Sequence, residues 1–352
     1  VSEGNAVSHV QLLARNLGIP NAVLSPELLS ALSPLSGTKV FYAVSPRGRV
    51  ILRRAEDMTA EEQDLFAQKG LPEERLQVPT ERLELTRTDL IRLADLRALH
   101  SGRVCGPKAA NLGQLASMFA GLVTEGLVLP FGLFRAHFDQ PMPDTAGSYW
   151  QFLQATFAEA ATARQAGRSE AEIESQILAR LTRLRAAVAQ IQFLPAFLDG
   201  LRTAFQQTFG APVGEVAVFV RSDTNMEDLK DFTGAGLNLT VPNVRDTDRL
   251  LQAVRDVWAS PFTERSYRWR QKVLLNPENV YPSILLQRSV DVARSGVMIT
   301  TGLVSQKAED VTVAFSRGVG GAVDGQAAET WLLRQDGVDV LLSPARDPRF
   351  TT

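Results

Sequence analysis

The chain is poor in the residues that build disulfides and metal clusters. Among its 352 residues there is one cysteine, Cys105, and there are three histidines. A lone cysteine excludes an intrachain disulfide and a cysteine-based zinc cluster. That composition fits a reducing compartment. Charge of one sign is missing too: 37 Lys and Arg against 39 Asp and Glu leave a formal net charge of −2. No overall field therefore draws the chain to nucleic acid or to an anionic membrane, and neither is expected as a partner. No apolar run reaches the ~18 residues of a spanning helix. No secretory signal is legible near the start, and a cytoplasmic location is the expectation. Internal repeats and low-complexity tracts are also absent.

What remains is ordinary globular material, with 45% hydrophobic and 22% charged residues. The length suits two or three domains of ~100–200 residues each. The first residue is Val1 rather than methionine, and a motif begins almost at once. The expectation is a piece of a longer chain.

Near the start, Val10, Leu13, Ala14 and Leu17 recur at helical spacing, with Gly18 and Pro20 placed to end the helix. His9 stands at the mouth of that helix. "KVFYAVSPRGRVILRR" then predicts two strands around a Pro-Arg-Gly turn. A charged, proline-interrupted stretch follows and reads as a linker. Further on, "GPKAANLGQLASMF" is a glycine turn leading into a helix, and "LVLPFGLFRAHF" is a strand, a turn and a helix start. Residues 149–193 predict a long helical stretch divided near Gly167, with Ser169 and Glu172 spaced as a capping box. "EVAVFVRS" is a strong strand, while "YPSILLQRSV" and "SGVMITTGLV" are expected to pair. Strands and helices mix without regular βαβ alternation, which predicts an α+β fold.

Four stretches carry chemistry. Lys108 follows a glycine turn at the start of a helix, where a cation can meet phosphate. No GxxxxGK[ST] loop occurs, which excludes a Walker A site. In "VFVRSDTNMEDLKDFTGAGLNL", a strand delivers Arg221, and a polar segment with Asp223, Glu227, Asp228 and Asp231 follows. "TGAG" then supplies glycines whose backbone can approach an anion. A guanidinium offers a planar fork for phosphate oxygens. "LLQRSVDVARSG" places Gln287 and Arg288 in a β-run that could read the edge of a base, and "SRGVGGAVDGQAAE" is a further glycine-rich turn. Alone, the Arg221 stretch reads equally as a surface loop, and the other three read first as a solvated lysine, an exposed hairpin and an ordinary flexible loop.

Together and in this order, these stretches resemble the nucleotide-binding, ATP-grasp-like domain of the pyruvate phosphate dikinase and phosphoenolpyruvate synthase family. The segments that carry the resemblance are "GPKAANLGQL", "VRSDTNMEDL", "VRDVWASPFTERSYRWRQ", "LLQRSVDVARSGVM" and "GVGGAVDGQAAE". "SHVQLLARNLGIP" resembles the same family's swivelling phosphohistidine domain. The histidine motif precedes the nucleotide domain, an order similar to the α-glucan, water dikinases. The resemblance implies a partial β/β/α phosphohistidine domain over 1–55, a linker over 56–95, and a nucleotide domain over 96–352, truncated at its end.

The same resemblance implies roles. Lys108 and Arg221 would hold ATP phosphates, Gly234 would lie in the loop over them, and Asn238 and Gln287 would meet the nucleotide. His9 would be the phosphorylated histidine, with Mg2+ alongside ATP. The implied activity is an ATP-dependent dikinase that phosphorylates His9 and passes the group to a glucan, pyruvate or another small molecule. A neutral imidazole has a free lone pair near pH 7, which suits that part. Two departures stand out: Pro107 replaces the usual second glycine before the lysine, and no late Gln-x-Arg strand supplies the family's metal site. They imply a second reading, a nucleotide-binding regulatory module without catalysis. His100 and His137 are expected to be structural.

Overall fold

In a computed structural model, the described residues are 7, 11, 14, 19–22, 24, 26–45, 49–68, 75–227, 229, 239–322 and 328–344. Along the chain, α1 (Pro26–Ala31) precedes a hairpin of β1 (Val40–Val44) and β2 (Val50–Arg54), then α2 (Ala60–Gln68). Next come β3 (Ile91–Arg92), α3 (Pro107–Met118), β4 (Gly126–Leu129) and α4 (Phe131–Phe138). Three longer helices follow: α5 (Tyr149–Gln165), α6 (Glu170–Val188) and α7 (Pro195–Phe209). Strands β5 (Val218–Thr224) and β6 (Thr240–Val244) lead to α8 (Thr247–Ala259) and α9 (Glu264–Val273). The last strands are β7 (Pro282–Arg288), β8 (Arg294–Ile299), β9 (Val311–Arg317), β10 (Glu329–Leu333) and β11 (Val340–Ser343). Helices and antiparallel sheets thus mix as an α+β chain. No helix among the described residues is long and apolar enough to cross a membrane.

The chain divides into two units, one of residues 74–290 and one of residues 1–73 with 291–352. The first holds an antiparallel sheet in the order β3-β4-β7-β5-β6. Its central strands β4, β7 and β5 are covered on both faces, and period-two alternation sorts their side chains. Leu127, Leu129, Val218, Val220, Ile284 and Leu286 enter a large core that the helices from α4 onward complete. Ile91, Val128 and Leu285 point the other way and pack with Ala109 and Ala110 of α3. Trp258, Phe134 and Phe138 are fully buried in the large core.

Local signals set the helix ends. Gly167 takes φ +75° between α5 and α6, a left-handed conformation that ends the first helix cheaply. Ser169 caps α6 by accepting the Glu172 N–H. The reciprocal capping box lies one helix earlier: Ser148 and Gln151 exchange bonds at 3.1 and 2.9 Å.

The other unit contains the β1–β2 hairpin and an antiparallel sheet in the order β11-β10-β9-β8. The expected pairing of the β7 and β8 segments does not occur. β7 lies between β4 and β5, whereas β8 pairs with β9. Residues 289–293 carry the chain from one unit to the other instead of turning it back. Val7 is buried with Ala314, Ala322 and Ala328 in this unit's small apolar cluster. The helix expected around Val10–Leu17 lies almost wholly outside the described residues.

Candidate nucleotide-binding site

The site lies within residues 74–290, on the sheet face that α3 covers. Cross-strand partners in an antiparallel pair share a face. Arg221 stands opposite Leu285, Asp223 opposite Ser283, and Phe219 opposite Gln287. Arg221, Asp223, Ser283 and Gln287 therefore project to one side, together with the Leu285 that packs on α3. Gln287 lies diagonal to Arg221 across the strands, and its Oε1 accepts from the Arg221 guanidinium at 2.8 Å. Its amide nitrogen donates to Thr124 Oγ1 at 2.9 Å. Gln287 thus sits on a central strand with both ends of its amide engaged. Its neighbour Arg288 pairs with Glu125 at 2.8 Å.

The start of α3 is spoken for by the protein itself. Gly106 and Pro107 bring the helix end against β5, and the Lys108 and Ala109 N–H groups donate to Asp223 at 2.8 and 3.1 Å. A carboxylate here answers both the unpaired amides and the positive end of the helix. Ser283 braces the arrangement: its hydroxyl donates to the Asp223 carbonyl at 2.6 Å and accepts from the Gly106 N–H at 3.0 Å. A β-carbon on Gly106 would fall 2.4 Å from Asp223 Oδ1, so only glycine permits this approach. The helix amides therefore hold Asp223, and the anion-binding capacity near Lys108 rests on side chains.

Lys108 reaches back over β5. Its ammonium forms an ion pair with Glu227 and donates to the Ser222 carbonyl at 3.2 Å. Glu227 also accepts from the Thr224 N–H at 3.2 Å. Asp223 is wholly buried, and the Glu227 side chain is 8% exposed. Burial raises both carboxyl pKa values, and Lys108 opposes it; the Asp223 charge raises Glu227 further. Glu227 is pushed up to about 7. Burial lowers the Arg221 pKa, while Asp223 and Glu227 raise it. A guanidinium remains charged through such a shift. Lys108 and Arg221 thus come from two elements to the same pair of buried carboxylates.

Of the residues predicted for the site, Lys108, Arg221 and Gln287 are brought onto one sheet face. His9, Gly234 and Asn238 lie outside the described residues. Asp223 and Glu227 were visible in the sequence only as members of a charged loop. Their attachment to α3 needs a partner more than a hundred residues away, which no local spacing announces. His137 is buried among aromatic rings, its Nδ1 bonded to the Leu133 carbonyl at 2.8 Å and its Nε2 to the Leu194 N–H at 3.2 Å. His100 accepts the Arg97 N–H at 2.9 Å through Nδ1. Both play structural parts.

The fold and site are those of an α+β protein with a lysine and an arginine gathered at one face of an antiparallel sheet. Residues 103–336 match the family model described as pyruvate phosphate dikinase, AMP/ATP-binding domain. The match covers well over half of the chain, which therefore belongs to this family. Among its relatives, phosphoenolpyruvate synthase of Escherichia coli strain K12 is 27% identical over 217 residues, covering 61% of this chain and 26% of the relative. A probable phosphoenolpyruvate synthase of Pyrococcus horikoshii is 28% identical over 159 residues, 44% of this chain and 19% of the relative. Rifampicin phosphotransferase of Bacillus subtilis strain 168 is 32% identical over 124 residues, 35% of this chain and 14% of the relative. The chain thus matches less than a third of the length of each.

Proposed function

We propose that this chain binds ATP and serves an ATP-dependent phosphotransferase of the dikinase type, working from the cytoplasm. In this reading residues 96–352 form an ATP-grasp-like nucleotide domain and residues 1–55 part of a swivelling phosphohistidine domain, joined by a linker over 56–95. Lys108 and Arg221 spread positive charge over the triphosphate, with Gly234, Asn238 and Gln287 meeting the rest of the nucleotide. His9 takes a phosphoryl group from ATP: its imidazole nitrogen forms a P–N bond as a P–O bond of the polyphosphate breaks, and the remaining nucleotide is the leaving group. Phospho-His9 then passes its phosphoryl group to pyruvate, a glucan or another small molecule. The observation that carries the reading is the convergence of Lys108 and Arg221 on one sheet face of a chain that belongs to a nucleotide-binding family. Phosphoryl transfer asks chiefly for positioning and charge neutralisation, which two fixed cations supply.

Magnesium is expected with the nucleotide, yet the described residues do not build a site for it. Among them no group of three or more His, Cys, Asp or Glu side chains gathers to hold a metal ion. Asp223 is engaged by α3 and Glu227 by Lys108. No step here is assigned to the ion.

The test is mass spectrometry of the intact protein that contains this chain, after incubation with ATP and Mg2+. The expected product is an acid-labile phosphate on His9, lost in His9→Ala while ATP binding persists. ATP bound without phosphate on His9 would instead define a non-catalytic nucleotide-binding module.

A further inference from the structure

The Lys108 side chain is partly exposed, and its ammonium is bonded to the nearly buried Glu227 carboxylate. The ammonium has three donors. Two go to protein: the Glu227 carboxylate and the Ser222 carbonyl. Glu227 itself is fixed by the Thr224 N–H, so it cannot follow Lys108 outward without losing that bond.

Among the described residues, the charges facing Glu227 come from α3 and β5. Lys108 reaches it from α3, and Asp223 and Arg221 act from β5, which ends just before the turn that carries Glu227. β7 brings two uncharged groups to this cluster, the Ser283 hydroxyl on Asp223 and the Gln287 amide on Arg221. The Cys105 thiol, driven up by burial and by Asp223, stays neutral. Lys108 is therefore the one cation bonded directly to Glu227 among the described residues.

We infer that Glu227 is the resting partner of Lys108, and that a nucleotide phosphate captures the ammonium by displacing this carboxylate, which then takes up a proton. This rests on the nucleotide-binding reading above and adds a positioning residue to it. The balance is simple. The ammonium keeps its three protons and exchanges one anionic acceptor for another. Glu227, left buried beside Asp223 with a polyanion arriving, binds a proton from solvent. An unpaired buried carboxylate is the costlier alternative. Binding is then linked to proton uptake, so affinity is highest at low pH and falls as pH rises.

The experiment is calorimetric titration of the chain with a non-hydrolysable ATP analogue and magnesium, in two buffers of different ionisation enthalpy. Working above about pH 7 keeps the nucleotide's own phosphate ionised. The wild type is expected to take up as much as one proton per nucleotide, with affinity falling by as much as about tenfold per pH unit. Glu227→Gln keeps an acceptor for Thr224 but cannot titrate. It is expected to bind more tightly than wild type, without proton uptake and with a flat pH profile. Equal proton uptake in both proteins, or weaker binding by Glu227→Gln, would overturn the inference. The wild-type buffer comparison depends on no variant folding, and zero uptake there is equally fatal. No binding by the wild type would instead remove the nucleotide reading, and this inference with it.

Discussion

His137 shows how a single buried ring ties stability to pH. It has no accessible surface, and Phe193, Phe197 and Trp258 surround it. Burial lowers its pKa from the ordinary 6.5 to about 4. The unfolded chain therefore binds a proton that the folded chain refuses between those two values. The neutral ring's contribution is complete above about pH 6.5 and is lost as pH falls toward 4, at a cost of about 3 kcal/mol. Urea midpoints measured across that window should drop in the wild type and drop much less in His137→Gln. Its sequence setting, an apolar amphipathic turn, was enough to assign it to structure. Asp223 and Glu227 were not so readable, because their meaning depends on Lys108 and α3 arriving from a distant part of the chain.

At the scale of elements, α3 is docked rather than merely placed. Its first turn is bonded to β5 through Asp223, and Ser283 of β7 closes the same contact. Gly106→Ala forces a methyl group against Asp223 Oδ1 and its backbone carbon, at 2.4 and 2.7 Å. The expected result is a loss of about 1–3 kcal/mol from overpacking, read from denaturant unfolding. Lys108 should be displaced with the helix, so nucleotide affinity should fall in parallel. Helix starts such as this were legible because glycine, proline and serine act over three or four residues. Strand partners were not. The segments of β7 and β8 look like a hairpin in sequence, yet each finds its partners elsewhere, since pairing is decided by edges and burial across the whole sheet.

At the scale of the molecule, the two apolar cores around the five-stranded sheet draw their members, among the described residues, from residues 74–290. A protein of residues 74–290 alone is expected to fold and to unfold in one cooperative transition, seen by circular dichroism in urea. A broad, non-cooperative loss of signal would mean that residues outside 74–290 are needed for its stability. The mixture of helix and sheet was readable from composition and periodicity. The division into units was not, because one unit is drawn from both sides of the other along the chain.

That interleaving has a consequence for synthesis. Val7 packs on Ala314, Ala322 and Ala328, so its binding surface does not exist until translation has passed all three. A ribosome would release the sheet that carries Lys108 and Arg221 well before then. Val7 can therefore join that apolar cluster only after the five-stranded sheet has been made.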